Sequence, residues 1–96
     1  MLKRPKSKAL DLDRAEEIGI QALAHLAADD DRLAKFLGIT GILPNDLIAG
    51  ARTPAMLLAI LEYLSSDESA LLVFAAEAGL PPEQLGEAIR LLERAA

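Results

Sequence analysis

The chain matches itself when residues 23–52 are aligned with residues 61–90, and this internal match constrains the fold more than any other feature of the sequence. Under this 38-residue offset, nine of 30 residue pairs are identical without a gap. Leucine pairs arise easily between helical segments, so the informative identities are those of residues with positional roles. They are Asp29/Asp67, Phe36/Phe74, Gly41/Gly79 and Pro44/Pro82. The match predicts two tandem copies of one structural unit.

The repeated residues also predict the structure of that unit. An aspartate before a helix accepts a free backbone N–H group, and a glycine just past a helix adopts the left-handed conformation that ends it. A proline shortly afterwards suits the first turn of the next helix. Each unit is therefore predicted to contain three helices, and the two units are expected to pack about a pseudo-twofold axis. The six predicted helices span residues 14–27, 30–38, 44–51, 54–64, 67–77 and 82–95.

Composition supports an all-α fold, a compact bundle of about six short helices. The chain has 18 alanines and 19 leucines, which favour helices, but only one valine, two phenylalanines and one tyrosine, which favour strands. We expect residues 13–96 to form a single helical domain with repeat units 13–52 and 53–96. A capping box, Asp13 with Glu16, is predicted to begin the first unit. Residues 1–12 are expected to form a basic, disordered tail.

Charge is unevenly distributed along the chain. Residues 1–8 carry four lysine or arginine residues and no acidic residue, so the formal net charge of −5 leaves −9 on residues 9–96. An acidic body disfavours nucleic acid and anionic lipid as partners. The longest apolar runs, 55–61 and 70–76, are too short to cross a bilayer, and no secretory signal precedes them. We therefore expect a cytoplasmic protein without membrane contact.

The two copies differ at positions that carry polar residues in the first copy. The residues that take these positions in the second copy include Ala59, Tyr63, Ala70 and Val73, where the first copy has Gln21, His25, Arg32 and Lys35. Two explanations stay open: the helix at 55–64 lies in the centre of the bundle, or the second copy exposes an apolar patch. The second explanation makes these four residues a candidate protein interface, with a second copy of the chain or another protein as partner.

A nucleic-acid-associated role is the alternative hypothesis. Residues 31–50 superficially resemble the helix-turn-helix of repressor-type DNA-binding domains in the spacing of Leu33, Leu37 and Leu47. The expected recognition helix, however, offers Asn45 and Asp46 and no basic residue before Arg52, so it lacks the side chains that contact bases and phosphates. On this hypothesis the basic tail would supply the contact.

Catalysis and cofactor binding are not indicated by the sequence. With no cysteine and one histidine, the chain offers no zinc ligand set and no acid–base–nucleophile combination. His25 lies on a polar stripe and is predicted to be a solvated surface residue, and Asp29–Asp31 are predicted to begin a helix. We expect a protein that is not an enzyme, with no catalytic, cofactor-binding or metal-binding residue and no cofactor.

Several segments resemble domain-of-unknown-function family 3572, a family of small helical proteins of alphaproteobacteria. The resemblance is carried by residues 15–26, 30–37, 40–41 and 64–85, with the segment 75–83 (Ala-Ala-Glu-Ala-Gly-Leu-Pro-Pro-Glu) the most characteristic. It implies a helical fold and assigns no activity, cofactor or site residue. Function is therefore predicted from the residues alone: a small protein–protein interaction module, expected to be a homodimer.

Overall fold

The computed structural model describes residues 10–96, and within this range the chain forms six α-helices and no strand, as the all-α prediction requires. Each helix begins and ends at or close to its predicted position. The helices are α1 (Leu12–Ala27), α2 (Asp30–Thr40), α3 (Pro44–Gly50), α4 (Pro54–Ser65), α5 (Glu68–Ala78) and α6 (Pro82–Ala95).

Aspartate and threonine side chains begin four of the helices. The Asp29 carboxylate accepts from the backbone N–H groups of Asp31 and Arg32 at 2.9 and 3.1 Å, and Asp67 accepts from Ala70 N–H at 3.2 Å. Both predicted caps are therefore confirmed, and Thr53 caps α4. The predicted Asp13–Glu16 capping box is wrong, because α1 begins earlier than predicted and Asp13 lies inside its first turn.

The N-cap of α1 is Asp11, whose carboxylate accepts from the backbone N–H of Arg14 at 2.8 Å. Asp11 has the extended backbone that a cap requires, and the carboxylate also faces the positive end of the helix dipole. Leu10 is half-buried and packs against the core. Residues 10–12, which the sequence assigns to the tail, thus contact the domain; the rest of the predicted tail lies outside the described residues.

Left-handed glycines end α2 and α5, as predicted. Gly41 has φ of +75° and Gly79 has φ of +69°. At Gly79 the backbone N–H of Leu80 also donates to the Ala75 carbonyl at 2.9 Å, which closes the Schellman motif and folds Leu80 onto the core. At Gly41 the single bond from its N–H to the Leu37 carbonyl, 2.9 Å, closes the helix in the simpler left-handed motif.

From the end of the first helix of each copy to the start of the third, the helix boundaries carry the same 38-residue offset as the sequence, whereas α1 and α4 begin 42 residues apart. Helices α2 and α5 have equal length and begin at positions 30 and 68; α3 and α6 begin at Pro44 and Pro82. The copies diverge at their last helix, since α3 ends at Gly50 and α6 continues to Ala95, about twice as long. The repeat, and the twofold packing of its units, remain predictions, but local structure follows the predicted register.

Helices α1, α4 and α6 form the centre of the domain, and each packs against the other two. Helices α1 and α4 lie close together at Gly19. A Cβ atom built on Gly19 would lie 2.8 Å from the Cβ of Leu57. Gly19 and Leu57 are paired by the repeat offset and so occupy equivalent positions of the two predicted units. If the two units pack as predicted, this contact lies at the twofold axis.

Helix α4 lies within the bundle and is covered largely by its own chain. Its residues Leu57, Ile60, Leu61 and Leu64 are no more than 1% exposed. Helix α6 contributes to this cover, because its buried residues Leu85, Ala88 and Leu92 belong to the same core. Of the two open explanations for the apolar character of α4, burial therefore accounts for most of the helix.

The three most exposed large apolar residues of residues 10–96 lie on α2, on α3 and in the connection between them. Ile39, Leu43 and Ile48, called the α2–α3 corner below, are 65%, 63% and 75% exposed. Helix α3 contacts the rest of the domain chiefly through α4, whereas its counterpart α6 packs along both α1 and α4. In the second copy the equivalent residues are Glu77, Pro81 and Gly86, which expose little aliphatic side chain.

None of the described helices has both the length and the apolar composition needed to cross a membrane. Helices α3 and α4 reach that length and composition only together, and the chain bends by 120° at the break between them.

The contact between α1 and α4 yields a stability prediction. Substitution Gly19→Ala places a methyl group against Leu57, so we expect unfolding free energy to fall by about 1–3 kcal/mol through overpacking, despite the better helix propensity of alanine. The matched control is Gly38→Ala in α2, where a Cβ meets nothing within 4 Å. It should stabilise by about 0.5–1 kcal/mol. Urea unfolding measures both; equal effects would contradict the close α1–α4 packing.

Candidate functional site

A cleft of about 280 Å³ opens between α2 and α5 and is the candidate functional site. Helix α2 packs mainly on α1 and helix α5 mainly on α4, which leaves a space between α2 and α5 themselves. We call this space the α2–α5 cleft. Its lining residues are His25, Leu26, Arg32, Lys35, Tyr63, Leu64, Asp67, Ser69, Ala70 and Val73.

Most of these lining residues form pairs that are related by the repeat offset. Equivalent positions of the two predicted units therefore face one another across the cleft. The pairs are His25/Tyr63, Leu26/Leu64, Arg32/Ala70 and Lys35/Val73. The positions at which the sequence copies diverge thus meet in one place, and their divergence makes one wall cationic and the opposite wall apolar.

The floor of the cleft is apolar and buried. Leu26 and Leu64 are each 1% exposed. Two aromatic contacts flank them: the ring of Tyr63 meets Phe36 edge-on at 5.1 Å between centroids, and the His25 ring meets Phe74 at 5.4 Å. Each contact joins α1 or α4 of one predicted unit to the phenylalanine of the other, and the repeat offset relates the two contacts. The floor is therefore fixed by packing from both units.

His25 is buried, at 8% exposure, and its prediction as a solvated surface residue is wrong. Its Nδ1 lies 2.6 Å from Glu77 Oε1, and the Arg32 guanidinium donates to the His25 carbonyl at 2.9 Å. Because a carboxylate only accepts hydrogen bonds, the short Glu77 contact places a proton on Nδ1. Glu77 lies on α5, far from His25 in sequence, so no local pattern indicates the contact.

A second recess, of about 310 Å³, lies on the other side of the His25 ring. Its lining residues are Gln21, Ala24, His25, Phe74, Glu77 and Ala78. His25 therefore lines both this recess and the α2–α5 cleft, whereas Phe74 and Glu77 line the recess and not the cleft. Burial of the ring between them explains why a histidine on a polar stripe is not solvated.

The polar groups of the cleft differ in how they are engaged. Within residues 10–96 the ion pair between an arginine or lysine and a carboxylate is Arg14–Glu17, so Arg32 and Lys35 have no carboxylate partner there. One NH group of Arg32 is held by the His25 carbonyl, which fixes the guanidinium at the cleft wall. Asp67 is the one acidic lining residue, and its carboxylate caps α5. The cleft therefore presents two cations and one occupied carboxylate.

The four predicted interface residues are only partly brought together. Tyr63, Ala70 and Val73 line the cleft, with Val73 48% exposed at its edge. Ala59 lies on α4, half-buried and outside the cleft. The sequence singled out the apolar member of each divergent pair as the candidate interface and omitted Arg32 and Lys35. The missing information was that the two members of each pair face each other.

The acidic triplet and the helix-turn-helix resemblance have structural explanations. Asp29 caps α2, and Asp30 and Asp31 occupy its first turn. Among the described residues, no group of three or more His, Cys, Asp or Glu side chains is placed to hold a metal ion. Helix α3, in the position of a recognition helix, has Asp46 in its first turn and no basic residue, so it presents a surface unsuited to DNA.

Comparison with known families identifies what kind of protein carries this cleft. The family model described as "Protein of unknown function (DUF3572)" matches residues 12–95. The chain therefore belongs to domain-of-unknown-function family 3572, and the resemblance seen in the sequence is confirmed. Comparisons with curated proteins and with solved structures find no match.

The His25–Glu77 contact makes a prediction that NMR can check. In neutral His25 we expect the proton on Nδ1, because Glu77 accepts from it, and Glu77→Ala should shift the tautomer towards Nε2. Long-range ¹H–¹⁵N correlation spectra of the ring report the tautomer directly. Glu17→Ala, which removes an exposed carboxylate on α1, is the control and should leave the spectrum unchanged. An Nε2 tautomer in the unmodified protein would contradict the assignment.

Proposed function

We propose that this protein is a protein–protein interaction module that works in the cytoplasm and captures a partner in the α2–α5 cleft. The observation that carries the proposal is the cleft's combination of two cations that have no carboxylate partner within residues 10–96, an apolar wall and a buried apolar floor. The volume of the cleft, about 280 Å³, is small for a pocket that encloses a whole small molecule. It is large enough for the anchor side chains of a partner protein.

Binding is favoured over catalysis by the way the polar groups are placed. A nucleophile needs a base within hydrogen-bonding reach, and among residues 10–96 no hydrogen bond joins the Ser69 or Tyr63 hydroxyl to His25. The His25 Nδ1 contacts Glu77 at 2.6 Å, which leaves Nε2 as the nitrogen available to act as a base, and no hydroxyl group within residues 10–96 is hydrogen-bonded to it. We therefore propose a module that is not an enzyme and that acts without a cofactor.

Partner capture at the cleft is tested by a matched pair of substitutions on α5. Val73 lines the cleft and Leu72 does not, yet both are 48% exposed and adjacent. We expect Val73→Glu to abolish capture of native-host proteins in affinity purification, because it places a carboxylate on the apolar wall. Leu72→Glu should retain them, as identified by mass spectrometry.

Tyr63→Glu is a less clean test of the same surface. Tyr63 is half-buried and packs edge-on against Phe36, so a glutamate there disrupts the floor as well as the wall.

Val73→Glu should leave the circular dichroism spectrum and the unfolding midpoint close to those of Leu72→Glu. Equal loss of capture in both variants, with both folded, would show that the cleft is not the binding surface.

We further propose that the module is a homodimer that uses the α2–α3 corner. Ile39, Leu43 and Ile48 are the three most exposed large apolar residues of residues 10–96. Exposed aliphatic side chains are typical of surfaces that are covered in an assembly. The short α3 leaves this corner without the cover that the longer α6 provides to its own copy.

Self-association predicts a concentration-dependent mass. We expect light scattering coupled to size-exclusion chromatography to give a dimer, and Ile48→Glu to shift it to monomer, because the charge must be desolvated at the interface. Leu72→Glu, an equivalent change on α5, should leave the dimer intact. A monomer at millimolar concentration in the unmodified protein would overturn the homodimer proposal and leave the cleft proposal standing.

A further inference from the structure

The charge of the α2–α5 cleft opposes the charge of the molecule that contains it. Residues 9–96 carry a net charge of −9, yet Arg32 and Lys35 lie side by side on α2 without a carboxylate partner among the described residues. Residues three apart on a helix project from the same face. With Asp67 counted, the cleft lining carries a formal charge of +1 on a domain of −9, and the two neighbouring cations favour an anionic group as their partner.

The geometry of Arg32 strengthens this reading of the cationic wall. Its NH1 group donates to the His25 carbonyl at 2.9 Å, and this hydrogen bond holds that end of the guanidinium beside the cleft. The remaining guanidinium N–H groups have no hydrogen-bond partner within residues 10–96. A planar guanidinium with free donors binds a carboxylate through paired hydrogen bonds.

The opposite wall defines the second part of the partner. Ala70 and Val73 occupy on α5 the positions that Arg32 and Lys35 occupy on α2, and they face the cations across the floor of Leu26 and Leu64. The only acidic lining residue, Asp67, is engaged as the N-cap of α5. A partner that fills the cleft therefore needs a negative group on one side and an aliphatic group on the other.

We propose that the α2–α5 cleft binds an acidic peptide segment of a partner protein, in which an aspartate or glutamate lies next to a leucine, isoleucine or valine. The carboxylate is held between Arg32 and Lys35, and the aliphatic side chain packs on Ala70 and Val73. This inference rests on the proposed function and adds the chemistry of the partner.

Selection from a random peptide library displayed on phage tests the inference on the full chain. We expect peptides eluted from the unmodified protein to be enriched in an acidic residue beside an aliphatic one. The same selection on the double variant Arg32→Ala/Lys35→Val, which gives α2 the residues that α5 has at the equivalent positions, should not enrich them. Fluorescence anisotropy should show about tenfold or more weakening when the selected acidic residue is replaced by its amide.

The control variant removes the same charge elsewhere. Arg90→Ala/Arg94→Val acts on α6, outside the cleft, and should bind the selected peptides as the unmodified protein does. Circular dichroism and urea unfolding establish that both double variants are folded. Equal weakening in the two variants would show that overall charge, and not the cleft, attracts the peptide, and would overturn the inference.

The outcomes separate the partner chemistry from the proposed function. If no peptides are enriched, or if all the enriched peptides still bind Val73→Glu, peptide capture at the cleft is wrong. The inference about the chemistry of the partner is then wrong as well. A second outcome is that the enriched peptides fail to bind Val73→Glu but lack an acidic residue, or bind Arg32→Ala/Lys35→Val as well as they bind the unmodified protein. In that case the cleft is a docking site, and the proposal of an acidic partner is wrong.

Discussion

The close contact between Gly19 of α1 and Leu57 of α4 is the constraint on which the rest of the structure depends. Because Gly19 has no side chain, the two helices approach until the Leu57 Cβ lies 2.8 Å from the position that a Gly19 Cβ would occupy. That approach lets α6 pack along both helices and brings the ends of α1 and α4 together beneath the cleft. A wider separation would spread Leu26 and Leu64, and the cleft would lose its floor.

Local signals predicted the helices well, because the residues that begin and end helices act over one turn. Asp29, Asp67, Gly41 and Gly79 each do what their position in the sequence indicates. The start of α1 was predicted wrongly because two aspartates, Asp11 and Asp13, lie where either is a chemically suitable cap. Choosing between them depends on how far the first turn extends along α6, which is a tertiary property.

The candidate site was predicted only in part, because it is formed by contacts between residues far apart in sequence. The substitutions that distinguish the two copies were visible, and three of the four residues they indicated line the cleft. The sequence did not show that Arg32 and Lys35 form the opposite wall, or that Glu77 lies beside His25. The repeat offset shows which positions are equivalent; only the packing shows that equivalent positions face each other.

The placement of both cleft walls in one polypeptide has an evolutionary consequence. In an assembly of two identical short chains, any substitution in one wall appears in the other, so a cationic wall would always face a second cationic wall. Two units joined in a single chain are free to change separately. If the chain is the predicted pair of units, the α2–α5 cleft, with Arg32 and Lys35 on one wall and Ala70 and Val73 on the other, has an asymmetry that a pair of identical chains could not have.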